Sequence, residues 1–155
     1  MIIRQATIED IPQMKLLWRE LSDMHSAMEP MWETVENATE KHEEYLKVIL
    51  TKDSYYIVVA EAEDKIIGFS TLSLGNRPDV FVKKNIGSIQ DTYVRSEYRK
   101  SGVGRQLTNA LVEFAKGKNV EMISLSVAVA NEVGNEFWKD VGFKPILNYM
   151  TMYLV

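Results

Sequence analysis

The sequence contains no cysteine. Disulfide cross-links, thiolate nucleophiles and cysteine-based metal sites are therefore excluded. Long hydrophobic runs are missing too. The longest apolar stretches, such as Tyr55 to Ala60, are far too short to cross a bilayer, so no membrane partner is expected. No extended apolar core follows the positive charge near the N-terminus. Met1 to Gln5 thus reads as a strand rather than a leader, and a cytoplasmic location is the expectation. Internal repeats, low-complexity tracts and Pro/Gly/Ser linkers are absent, so residues 1–155 read as a single domain. The Walker A pattern Gly-x-x-x-x-Gly-Lys-[Ser/Thr] is absent, and so is the dinucleotide pattern Gly-x-Gly-x-x-Gly. The two histidines, His25 and His42, lack companions for a metal site; they read as surface residues, and no metal is expected.

What is present suits a globular chain with a real core. A chain of this length buries roughly two-thirds of the surface it exposes when unfolded. The hydrophobic fraction is 46% and the charged fraction 26%, both ordinary. The net charge of -4 is unevenly spread. Residues 20–44 carry eight acids against Lys41 alone, whereas residues 95–105 carry Arg95, Arg99, Lys100 and Arg105 against Glu97. One segment suits a cation and the other an anion, although both also suit plain solvated faces. The overall acidity argues against nonspecific nucleic-acid binding.

Periodicity divides the chain into alternating elements. Ile2 to Ala6 reads as a strand. Thr7 then precedes Asp10 at the spacing of an N-cap and its capping acid. Ile8, Ile11, Met14, Leu17, Trp18 and Leu21 form one apolar helical stripe. Pro30 interrupts, and a second helix is expected over Val35 to Leu50. Tyr55–Ala60 and Ile66–Leu72 flank the turn Glu63-Asp64-Lys65 as a hairpin. Ile86 to Arg95 is a further strand, residues 102–116 a helix capped by Gly117, and Met122 to Val129 a strand. Asn131 to Val141 is a short helix stopped by Gly142, and Tyr149 to Val155 a last strand. The order β-α-α-β-β-β-α-β-α-β gives an α/β mixed sheet with helices on its faces.

The sharpest signal is the stretch from Val94 to Gly104, where a strand ends, a basic loop with two glycines follows, and a helix begins. A helix N-terminus leaves backbone N–H groups unpaired and carries partial positive charge. Glycines let a ligand approach the backbone, so the turn suits an anion such as a pyrophosphate. A Gly-x-Gly turn is also often just a tight strand-to-helix connection.

Arg99-Lys100-Ser101-Gly102-Val103-Gly104 resembles the Arg/Gln-x-x-Gly-x-Gly/Ala loop of the GCN5-related N-acetyltransferases, and it follows a strand ending in Tyr93-Val94. A second element of that family is matched by Asn131, Phe137-Trp138 and Gly142-Phe143. The resemblance covers the whole chain. It implies an enzyme that moves the acetyl group of acetyl-CoA to a primary amine by direct attack in a ternary complex. It implies that backbone amides from Arg99 to Gly104, with Arg105 and Tyr93 alongside, hold the coenzyme. The Val94 strand would splay from its neighbour near Ser124 to admit the pantetheine arm. The Val94 N–H would polarise the thioester carbonyl. Asn131 would bond the coenzyme, and it also suits a helix N-cap. Phe137 would pack beside the coenzyme or simply in the core. Relatives are often homodimers, but no surface here marks one.

A protonated amine must lose a proton before attack. Asp91 is the first candidate acceptor, placed by strand alternation on the face of Ile89 and Tyr93; an acid that only attracts the amine is equally compatible. Glu132 is weaker, since an acid in a helix's first turn has a structural reason. The family's usual tyrosine acid is replaced by Trp138, whose indole is no useful acid. Tyr149, Tyr93 or water is left for that role. For the acceptor, Asp23, His25, Glu29 and Trp32 lie in the region where the family places it, with Glu33 and Trp18 nearby. Acids and indole faces suit a small cationic molecule or a peptide amine. Trp18 also lies on the apolar stripe and suits the core. The alternative is a catalytically silent acyl-CoA sensor of the same fold.

Overall fold

A computed structural model describes residues 1–154. Five strands form one sheet in the order β1-β2-β3-β4-β5: Ile2–Gln5, Tyr55–Ala62, Lys65–Asn76, Asn85–Val94 and Met122–Leu125. The first three pairings are antiparallel, and β4 with β5 is parallel. The parallel step requires a crossover, supplied by the helix α3 described below. The turn between β2 and β3 has positive φ at both Glu63 and Asp64, as a tight hairpin demands.

Two helices cover one face, α1 (Ile11–Ser26) and α2 (Ala38–Ile49). The helix α3 (Val103–Gly117) and the short α4 (Glu132–Asp140) lie on the other side. On α1 the stripe Ile11, Met14, Leu17 and Leu21 is buried, and it meets Ile57, Val59 and Phe69 of the sheet. Val103, Leu107 and Leu111 of α3 meet Val58, Leu72 and Ile89 on the opposite face. Arg4 holds Asp10 through two 2.7 Å bonds and Glu61 through another, while Asp10 accepts from the Thr7 N–H, fastening the start of the helical layer to β1 and β2. Among the described residues no helix is long and apolar enough to cross a membrane.

Four expectations need correction. The strand from Met122 stops at Leu125, because pairing with β4 ends at Ile89↔Leu125. Gly117 is the last residue of α3, and the left-handed residue that turns the chain is Asn119, with φ 55°. His42 is buried, because it shares the inward stripe Ala38, His42, Leu46 and Ile49 of α2. No strand forms over residues 149–154: after Phe143 the chain is an exposed tail without regular structure, while Val155 lies outside the described residues.

Candidate active site

The site is built on a single irregularity in β4. Thr71 pairs with Asp91 but Leu72 pairs with Ile89, so Gln90 is an extra residue on β4. Such a bulge bends its strand and shifts side-chain facing by one. It falls where pairing with β5 ends, so Gln90–Val94 has a sheet neighbour on one side only. The bulge also overturns the expectation that Asp91 shares the face of Ile89. Ile89 packs on the α3 side, whereas Asp91 faces the α1–α2 side with Tyr93.

The backbone of Val94 is free toward the gap. Tyr93 is opposite Phe69, and the Arg95 N–H donates to the Ile67 carbonyl at 2.9 Å. In an antiparallel ladder alternate residues bond to the same neighbour. Residues 93 and 95 therefore face β3, and the N–H and C=O of Val94 point to the open side. Accordingly, the Val94 carbonyl accepts from Arg99 Nε at 2.8 Å. Opposite Val94 stands Gly68, where an added Cβ would meet the Tyr93 carbonyl oxygen at 2.8 Å, so the close approach of β3 under the site needs a glycine.

Beyond Val94, a 3-10 turn (Ser96–Tyr98) leads to Lys100 with φ 61° and Gly102 with φ 86°. These left-handed residues aim the chain into α3, whose first amides have no intrahelical acceptors. Among the described residues no side chain caps this helix. The amides at its start thus keep their capacity for an anion. The cationic side chains are more committed than their charges suggest. Arg95 lies 3.6 Å from Glu20, Arg99 holds the Val94 carbonyl, and Arg105 donates to the Asp140 carbonyl at 3.3 Å. Val103 is a core residue, while Lys100, Ser101 and Gly102 are exposed. Ser101 Oγ donates to the Tyr98 carbonyl, steadying the turn.

Asn131 is the N-cap of α4, accepting from the Gly134 N–H at 2.9 Å. Asn135, missed in the sequence, donates from its side chain to the carbonyls of Ala128 and Asn131 and fixes the loop before α4. Phe137 packs edge-on to Trp138 and against Gly104, where a Cβ would stand 3.2 Å from its ring. Trp138 is in turn packed on Phe143. This cluster fixes α4 to the start of α3, so Phe137 has a structural task beside the turn. Glu132 is exposed.

Asp91 is half-buried, and burial pushes its carboxyl up to about 6. Three steps along the strand separate it from Val94, about 10 Å at the usual rise. Tyr93 turns its ring to the α1 side, its hydroxyl donating to Glu20 at 3.1 Å. The Tyr45 hydroxyl donates to Gln90 at 3.0 Å. Beside Tyr45 opens a pocket of about 380 Å3 lined by Trp18, Val35, Ala38, Lys41, His42 and Tyr45. Trp18 stacks on His42 at 4.1 Å and packs against the core, as its stripe position implied. Burial holds the His42 imidazole neutral, with its pKa lowered to about 4. The sequence presents His42 only as a surface residue, and it gives Tyr45 and Gln90 no role. His42 and Tyr45, three apart on one helix, were legible as a pair; the bulge at Gln90 leaves no sequence signal.

The other expected acceptor residues are only partly assembled. His25 lies 5.4 Å from Trp32, ring to ring, and burial lowers its pKa. Asp23 pairs with Arg19 at 2.9 Å, and Glu29 accepts from the Tyr153 hydroxyl. Glu33 is exposed. Tyr149 stands 82% exposed in the tail, outside both core clusters.

The profile of the Acetyltransferase (GNAT) family matches residues 18–143, which span the bulge, the turn and α4. The chain belongs to the GNAT acetyltransferase family. An uncharacterized N-acetyltransferase of Methanocaldococcus jannaschii is 29% identical over 64% of this chain; the chain spans only 44% of that relative's length. A protein from Bacillus halodurans, solved as a tetramutant, has the same fold at TM-score 0.90 and 22% identity, covering 99% of this chain and all of that one. The aminoglycoside N-acetyltransferase AAC(6')-Iy, solved in complex with CoA, matches at TM-score 0.74 and 17% identity over 99% of each chain. At these identities the two structures establish a shared fold.

Proposed function

We propose that residues 1–155 act as one acetyl-CoA-dependent N-acetyltransferase domain, moving the acetyl group to a primary amine of a small cationic molecule or peptide. The observation that carries this reading is the unpaired Val94 N–H, directed into the gap between β4 and β5 and followed directly by the uncapped start of α3. The two features suit the two ends of one substrate. The α3 amides, with Lys100 and the exposed Ser101–Gly102 backbone, suit the pyrophosphate. The open edge of Gln90–Val94 suits the pantetheine arm as an added strand, and the Val94 N–H suits the oxygen on which negative charge develops. The CoA complex of AAC(6')-Iy, on the same fold, supports this choice.

Asp91 is the proton acceptor in this reading. With a pKa near 6 it is mostly ionised at pH 7, yet more basic than an exposed carboxylate. Its distance from Val94 requires a water to carry the proton. Trp138, locked in its aromatic cluster, leaves protonation of the departing thiolate to water.

The test has two stages. Acetyl-CoA should raise the thermal unfolding midpoint in a concentration-dependent way, as any ligand confined to the folded state does. Release of CoA thiol, followed across a panel of polyamines, aminoglycosides and lysine peptides, should then accelerate with some of them. Binding without acceleration by any amine would make the chain a silent acyl-CoA sensor. No stabilisation at all would remove the coenzyme site.

A further inference from the structure

The pocket beside Tyr45 differs in chemistry from the acidic segment that surrounds it. Residues 20–44 carry eight acids, yet none of them lines the pocket. Trp18, Val35, Ala38, His42 and Tyr45 supply most of its wall. Among the described residues the one charged group that lines it is a cation, Lys41. Burial keeps His42 neutral, so the imidazole adds no charge. At about 380 Å3 the cavity falls within the range of small-molecule sites.

The carboxylates nearby are committed elsewhere. Asp23 pairs with Arg19, Glu29 accepts from the Tyr153 hydroxyl, and Glu43 holds both Lys15 and Lys47. An indole face attracts cations. Here, however, His42 lies on one face of Trp18, 8° from parallel, and the indole packs against the core. A second positive charge placed in this pocket would lose water, find no carboxylate and meet Lys41. An apolar group would gain by leaving water.

Tyr45 links the pocket to the other end of the acceptor. Its ring forms part of the wall, and its hydroxyl donates to Gln90, the chain neighbour of Asp91. Burial, the nearby Tyr55 and the charge of Asp91 push the Tyr45 phenol above its ordinary range, so it stays a donor. One tyrosine side chain therefore spans the step from the pocket to the strand that carries Asp91.

We propose that this pocket takes the apolar body of a monoamine acceptor, aliphatic or arylalkyl, whose nitrogen lies at Asp91, and that it discriminates against polyamines and aminoglycosides. The inference rests on the proposed chemistry for the place of the nitrogen; the preference of the pocket for an apolar group stands without it.

Hexylamine and 1,6-diaminohexane make the test, because they match in length and differ by one terminal charge. In the first arm amide NMR follows titration of the protein with each. Hexylamine should shift Ala38, His42 and Tyr45, and the diamine should bind at least about tenfold more weakly. In the second arm CoA thiol release is measured with acetyl-CoA. Each buried methylene is worth about fourfold, so kcat/KM for hexylamine should exceed that for propylamine by at least about twentyfold. Val35→Trp, at an exposed position on the wall, should raise KM for hexylamine more than it lowers kcat. Lys41→Glu should narrow the gap between hexylamine and the diamine at least about tenfold. Equal binding of the two amines overturns the proposal. So do pocket amides that hexylamine leaves unmoved, or a gap indifferent to Lys41→Glu. Hexylamine bound in the pocket with no thiol release from any amine would uphold the pocket and refute the transfer chemistry.

Discussion

The two halves of β4 differ in one respect that decides what each does. Asn85–Ile89 has β3 on one side and β5 on the other, so the sheet spends its backbone groups on structure. Gln90–Val94 keeps β3 but has lost β5, and its free groups face an open gap. One extra residue, Gln90, separates them. The lesson is that this fold opens a candidate site by interrupting its own pairing. In the proposed reading the group that acts on the second half is an amide N–H, not a side chain.

Proline substitution is the harshest way to break the comparison. Ser88→Pro removes a ladder N–H from the paired half and should cost about 3 kcal/mol or more of stability. Urea denaturation would read this as a large fall in midpoint. Val94→Pro removes an N–H that the sheet does not use. It should leave the unfolding midpoint far closer to wild type while lowering kcat by about 10²–10³, the usual effect of deleting one oxyanion donor. Equal destabilisation of the two variants would refute the difference between the halves.

Asp91 sharpens the comparison through pH. Its carboxyl rises from 3.8 to about 6, so the rate should fall as pH drops through 6. Asp91→Asn should lower kcat by about 10²-fold and abolish that limb. The stability effect has the opposite sign. A raised carboxyl favours folding only while it is protonated, so the cost of its charge grows from about pH 4 to pH 6 and then stays constant. Asp91→Asn should therefore be more stable than wild type at pH 8, by roughly 1–2 kcal/mol after allowing for partial exposure, and no more stable at pH 4. Thermal melts at the two pH values would check this.

Gly102→Ala is the mildest probe. The residue sits at φ 86° with open space around its Cα, so the cost is backbone strain alone, about 1 kcal/mol. Slight reorientation of the α3 amides should raise KM for acetyl-CoA more than it lowers kcat. Steady-state kinetics separate the two.

The sequence was most informative where backbone chemistry is tied to residue type. Gly102 and the apolar stripe of α3 made the turn readable, and Asn131 advertised its cap. It was least informative where position depends on a partner element. Nothing in Ile89-Gln90-Asp91 signals that β4 carries one residue more than β3, so Asp91 was assigned the face of Ile89. Arg95 and Arg105 looked like anion ligands by charge, yet Glu20 and the Asp140 carbonyl occupy them. The tail illustrates the same limit: its pattern is that of a strand, yet no strand forms over residues 149–154.

The central claim is that free amides at Val94 and at the start of α3 hold the acyl carrier. Amide NMR during titration with CoA tests it directly. The account predicts that Val94 and Gly102 to Arg105 shift strongly and early, while Gly87 to Ile89 stay nearly still. Shifts centred elsewhere, or a Val94 amide unmoved at saturation, would contradict it.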